Sequence, residues 1–383
     1  MELRRHQSFL DLPSTDWNRL VADADPFLDH AFLCALERHG CLGEATGWHP
    51  LPLTVVDDDG QLVGACPLFI KTNSYGEFVF DWAWAEAYAR QGLRYYPKLV
   101  SAIPFTPATG QRLLVDDALD KHTEIRRLLA EGIVELTRET GCSSAHVLFP
   151  DERELPALRS AGMSHRVGCQ FHWHNRAYRD FEDFLDALSA KKRKNLRQER
   201  RRVHEAGIEL ECIDGTAITA AQWAQFHTFY CDTFDRRGGV PTLTLDFFRA
   251  VGSALGARVH LVLAHAEGTT VAAALSYSSR HTLYGRHWGC AAHFDSLHFE
   301  ACYYQGMELC MRNGLTRFEP GAQGEHKVPR GFVPTLTHST HWIAHTGFRH
   351  AIDDFLERET PAVARYAEEL STHLPYRHST SAT

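Results

Sequence analysis

The chain has no cysteine pair at C-x-x-C spacing, and its 10 cysteines follow no regular interval, which leaves them as reduced thiols. No secretory leader opens MELRRHQSFLDLP, so a cytosolic setting is expected. No apolar run approaches the roughly 18 residues that a membrane span requires. The G-x-S-x-G, Walker and Rossmann fingerprints are missing as well. Positive charge is in deficit, with 40 Lys and Arg against 48 Asp and Glu and a net charge of −8. A surface of that sign does not bind nucleic acid indiscriminately, although a local patch can.

What is present suits a soluble globular chain. At 383 residues, 44% of them hydrophobic, there is material for two domains. Asp25-Pro26 opens a helix with an apolar stripe that Gly40 ends. Two apolar runs, 51–56 and 62–70, flank Asp57-Asp58-Asp59-Gly60 and predict a hairpin. Residues 75–100 are rich in aromatics and charge and predict a long loop lining a cleft. A helix over 121–140, strands over 144–149 and 168–174 and a long helix over 181–206 follow. Its second half, KKRKNLRQERRR, carries eight basic residues in twelve. A second hairpin spans 258–279 around Glu267-Gly268.

The stretch 283–336 is the one the rest of the chain serves. A strand over 282–288 leads into a helix, 297–313, that is apolar almost all round and therefore buried. A strand over 316–319 then runs into a loop dense in glycine and charge, and strand ends of this kind open onto a crevice in α/β proteins. The boundary between two units falls near 176, giving domains 1–176 and 177–375 with a disordered tail, 376–383.

Helix, hairpin, central strand, helix, strand and terminal strands is the order of the GNAT acyltransferase fold, and it occurs twice. The motifs YGEFVFDWAWA, YYPKL, PFTPATGQRLL, HFEACYYQGME and RFEPGAQGEHKVPRGF resemble the FemAB-like family of bacterial N-acyltransferases. The basic helix resembles that of the Fem-type peptidoglycan aminoacyltransferases. The resemblance implies two tandem GNAT-like α/β domains with mixed sheets. It also implies transfer of an acyl or aminoacyl group from acyl-CoA or aminoacyl-tRNA to a small-molecule or peptide amine. Acetyl-CoA enzymes of this fold carry a Q/R-x-x-G-x-G/A run that binds pyrophosphate at a helix N-terminus. GCAAHFDSLHF stands there instead, and Fem-type enzymes also lack the run. A non-catalytic small-molecule or nucleotide-binding protein that retains the fold is the competing expectation.

Amine acylation needs a base for the amine proton and donors for the developing oxyanion. His287, at the end of the central strand, and Glu319, before Pro320-Gly321, are candidate bases, with His326 a third candidate for the chemistry. Packing of His287 as a core histidine and pairing of Glu319 with Arg317 or Arg330 are the competing structural roles. Arg286, Trp288, His298, Glu300, Lys327 and Arg330 are expected at substrate, Lys327 and Arg330 as anion holders. Glu77, Asp81, Trp82 and Lys98 would line an opposite wall. Lys194, Arg197 and Arg201 on the basic helix would hold phosphate, since unscreened like charges repel one another. His338, His341, His345, His172 and His174 are spaced suggestively, but strand alternation separates the first two, and no metal or tightly bound cofactor is expected.

Overall fold

The computed structural model describes residues 1–322 and 324–377. The chain divides into two compact units, residues 1–169 with 336–365, and residues 170–335 with 366–377. The division is discontinuous, unlike the single cut at 176/177 that the sequence predicts. The chain crosses between units inside two strands, Ser164–His174 and Val333–Ile343, which no local signal marks as a boundary.

The first unit holds two sheets. One is antiparallel, in the order Glu2–Arg5, Leu53–Val56, Leu62–Cys66, Leu114–Val115. The other includes Val333–Ile343, Ser144–Leu148, Lys98–Ser101, Leu68–Lys71 and Trp48–Pro50 in that order. Lys98–Ser101 and Ser144–Leu148 run parallel in it, beside antiparallel neighbours. The helix His122–Glu139 connects them, as a parallel pair requires a crossover. It buries Ile125, Leu129, Ile133 and Leu136 at helical spacing in the core.

In the second unit the sheet runs Ile208–Asp214, Val259–Ala266, Thr269–Ser278, Thr282–Cys290, Arg317–Glu319 and the end of Ser164–His174. Again one parallel pair, Thr282–Cys290 with Arg317–Glu319, sits among antiparallel neighbours. Its crossover is the buried segment 297–313. Met307, Cys310, Tyr303 and Tyr304 of that segment pack on Phe318, Leu283 and Phe332.

Three local expectations change. Residues 75–100 hold a helix, Trp82–Arg90, and the strand Lys98–Ser101 rather than a continuous loop. The 181–206 helix is two, Phe181–Asp186 and Ala190–Glu205. The break is held because Ser189 N–H donates to Pro375 O at 2.9 Å and Leu188 bridges Tyr376. Tyr376 also donates to Gly331 O at 2.6 Å, so the expected disorder does not begin at 376; residues 378–383 lie outside the described residues.

Candidate active site

In the second unit, parallel pairing stops at Tyr284 opposite Glu319. Gly285 then meets Pro320 so closely that a Cβ there would lie 3.2 Å from Pro320 Cα. The register against Thr269–Ser278 slips at the next step, leaving Arg286 as the extra residue of a bulge. Beyond it the strand alternates. His287 turns its ring edge-on to Tyr230 and Phe248, at 5.1 and 5.7 Å, while Trp288 meets His298 at 5.5 Å on the other face. Burial, then Arg286, holds the His287 imidazole neutral, well below its usual range. Its face is not the face of His326 and Lys327.

That second face is the richer one. The crossover starts with one α-turn, passes through a π-helical turn, Glu300–Tyr304, and continues as Gln305–Asn313. Such turns recur at functional sites. Here it places Tyr303 so that its hydroxyl lies 2.8 Å from His326 Nε2. His298 lies edge-on to Tyr303 at 5.3 Å and 6.3 Å from the His326 ring. Gly324, at φ +118°, presses on that ring; a Cβ would come within 2.3 Å of His326 Cε1. Burial pushes His298 down to about 4, and burial then Lys327 lowers His326.

Lys327 is buried at 2% exposure, and its ammonium donates to Gly321 O at 2.7 Å, where the strand Arg317–Glu319 has just left the sheet. Among the described residues no carboxylate lies within ion-pair distance of it. Burial draws its pKa down to about 7. Two of its three N–H donors are left for something else.

A family profile described as FemAB-like, peptidoglycan biosynthesis/recognition, matches residues 8–378. The chain belongs to the FemAB-like family. Among solved structures it is similar to FemX, with TM-score 0.56, 13% identity, 92% of this chain and 100% of that chain covered. The C-terminal domain of a putative lysylphosphatidylglycerol synthetase from Agrobacterium fabrum gives 0.53, 11%, 89% and 94%. Likeness at that identity concerns the fold: tandem GNAT-like units with mixed sheets. The family assignment supports a transferase of the acyltransferase kind in peptidoglycan-related biosynthesis. No curated protein matches the chain.

Other expected site residues of this FemAB-like chain are already engaged. Arg330 gives two hydrogen bonds to Glu199, at 3.1 and 2.6 Å, and lies 3.4 Å from the Phe299 ring centre. Glu300 takes two from Arg200, at 3.1 and 3.0 Å, and one from Gln305. These pairs anchor the basic helix to the crossover and the glycine loop. Glu319 is buried with Arg317 Nε at 3.1 Å and His172 Nε2 at 4.0 Å.

The basic run is half consumed internally. Arg193, Arg197, Arg200 and Arg202 pair with Asp186, Glu182, Glu300 with Glu308, and Asp295. Lys194 and Arg201 stand exposed. Arg197, Arg200, Arg201 and His204 line an open groove of about 610 Å³ with Glu182 and Glu300.

In the first unit, Lys98 donates to Glu77 at 2.8 Å, to Ser74 at 3.0 Å and to Asp81. Burial raises Glu77 to about 7; at Asp81 burial is outweighed by Lys98 and His146, which hold it to about 2. The hydrogen-bonded chain continues through Tyr95, His146, His341 and Ser339. Trp82 is exposed. His338 meets His165 and Glu152 instead of His341. Here the parallel strands part after Ser101 and Val147, and the gap is bridged by Arg112, wholly buried, donating to Leu148 O at 2.8 Å and Ala108 O at 2.7 Å. In the second unit Lys327 lies just past the end of the parallel pair, donating to Gly321 O. Tyr303 is a candidate that sequence reasoning missed, because only the π-helical turn, which sets its hydroxyl against His326, distinguishes it from its apolar neighbours.

Proposed function

We propose that the second unit transfers an aminoacyl or acyl group from an ester or thioester donor to an amine. The observation that carries this is Lys327, a buried cation at the end of the parallel pair with no carboxylate partner among the described residues. A protonated Lys327 binds the donor's carbonyl oxygen and takes up its charge as the tetrahedral intermediate forms, more strongly than it could in water. His326 is the base. When Nε2–H donates to the Tyr303 oxygen, Nδ1 is left to accept the amine proton, and the Tyr303 O–H can turn to the leaving oxygen or sulfur. His298 and Trp288 form the wall behind. His287 supports the strand from its other face, and Glu319 orders Arg317.

An ester-linked aminoacyl-tRNA is the favoured donor over acyl-CoA. At the start of the crossover, Leu297, Phe299 and Glu300 N–H donate to Phe294 and Ser296 carbonyls, and Ser296 and Leu297 are buried. Those groups are not presented to a pyrophosphate as a regular helix start would present them. Of the three phosphate candidates on the basic helix, Arg197 is paired with Glu182, and Lys194 and Arg201 are left to meet the donor's phosphates.

The test pairs donor and variant. Single-turnover transfer to an amine panel, from mixed aminoacyl-tRNA and separately from acetyl-CoA, is compared between wild type and Lys327→Met. The variant is expected to lose about 10²–10³-fold in kcat, the cost of one oxyanion donor. Full activity in the variant refutes the role given to Lys327, and transfer from neither donor refutes the transferase reading and leaves the chain a binding protein.

A further inference from the structure

Arginine supplies most of this chain's positive charge: only seven of its 40 basic residues are lysine. Three of those seven, Lys71, Lys98 and Lys327, are buried. A guanidinium keeps its proton inside a protein, while an ε-ammonium can release it and become a nucleophile. The three interior lysines differ in what holds them. Lys98 lies between two carboxylates. Lys71 donates to Thr46 O, Asn73 Oδ1 and Tyr75 O, at 3.2, 2.9 and 3.1 Å, which engages all of its hydrogens. Lys327 donates to one carbonyl, Gly321 O. The titratable groups around it are the Cys302 thiol, His298, His326 and His172, with Glu325 and Arg330 on its own turn held by Tyr366 and Glu199.

We propose that Lys327 is itself an acyl acceptor, modified by the donor whenever no amine substrate occupies the site. The neutral ε-amine attacks the acyl carbon. An N–C bond forms as the donor's C–O or C–S bond breaks, and the departing oxygen or sulfur takes the proton that the nitrogen gives up. The products are an amide on Lys327 and a free alcohol or thiol, with no change of oxidation state. The amide carries no charge and cannot hold an oxyanion, so donor without acceptor silences the site. This inference rests on the proposed function, which puts the acyl carbon beside that amine.

The folded full chain is incubated at pH 7 with p-nitrophenyl acetate and no amine, and acetylated positions are timed by peptide mass spectrometry. Burial draws Lys327 to about 7, so its neutral fraction is roughly a thousand-fold above that of an ordinary lysine, and labelling at least about ten-fold faster than at Lys121, Lys191 and Lys194 is expected. Lys71, equally drawn to about 7 by burial but fully engaged, is the internal control and stays unlabelled. Lys327 labelled no faster than the exposed lysines, or Lys71 labelled alongside it, overturns the proposal. Lys327→Arg abolishes that label, and circular dichroism shows whether the variant is folded. If transfer to amines proceeds while Lys327 stays unmodified, self-acylation fails and the proposed function survives. If Lys327 is labelled by the ester but no donor supports transfer to an amine, the proposed function fails instead.

Discussion

Glu199→Ala removes the carboxylate that ties the glycine loop to the basic helix. Glu199 accepts both guanidinium bonds of Arg330, at 3.1 and 2.6 Å, and the Tyr304 hydroxyl. The side chains are 17% and 10% exposed, so screening by water is small. Exposed pairs contribute about 0–1 kcal/mol, whereas removing one member of a buried pair costs about 3–5 kcal/mol. This pair lies near the second case, and a loss of about 3 kcal/mol is expected, with Arg330 left without its anion. Glu199→Gln keeps acceptors for Tyr304 and one guanidinium N–H, and should cost about half as much. Urea unfolding followed by tryptophan fluorescence gives the numbers, with an unchanged slope marking a change in stability alone. A double cycle with Arg330→Met should return a coupling of about 2 kcal/mol. Additive single effects, or a Glu199→Ala cost below about 0.5 kcal/mol, would show that the clamp does not hold the loop.

Two further outcomes are specific enough to fail. Gly289→Ala would put a Cβ 2.2 Å from the Phe229 carbonyl oxygen, a backbone atom that cannot swing away, and about 2–4 kcal/mol of destabilisation is expected in the same unfolding assay; wild-type stability would mean the helix Ala220–Asp235 yields. His172 is buried, and burial followed by Arg317 depresses it to about 3. Its contribution to stability is present above the unfolded-state value near 6.5 and is lost as pH falls toward the folded one. His172→Gln should therefore lose about 1 kcal/mol less than wild type between pH 6.5 and 5.5; parallel pH profiles would contradict the burial argument.

Most elements were legible in the sequence because their causes are local. Asp57-Asp58-Asp59-Gly60 turns a hairpin between Leu53–Val56 and Leu62–Cys66, and Asn313-Gly314 ends the crossover with Gly314 at φ +67°. Apolar periodicity placed the helix His122–Glu139 within a residue or two of its bounds. The recurrence of helix, hairpin, strand, helix and strand in each half was legible for the same reason, and the long motifs carried the family; which strands pair in parallel came only from the fold.

Which ionisable groups remain available could only come from tertiary structure. Arg330 and Glu199 are 131 residues apart, and Arg200 and Glu300 are 100 apart, so no sequence window contains either pair. By composition alone Arg330 and Lys327 look alike; the fold gives the first a carboxylate and the second a single carbonyl. The face each side chain takes after the bulge at Arg286 likewise separated His287 from His326. Propensity and periodicity act over a few residues and so determine the elements. Desolvation and ion pairing depend on what the folded chain brings alongside, and those decide which residues are free to act.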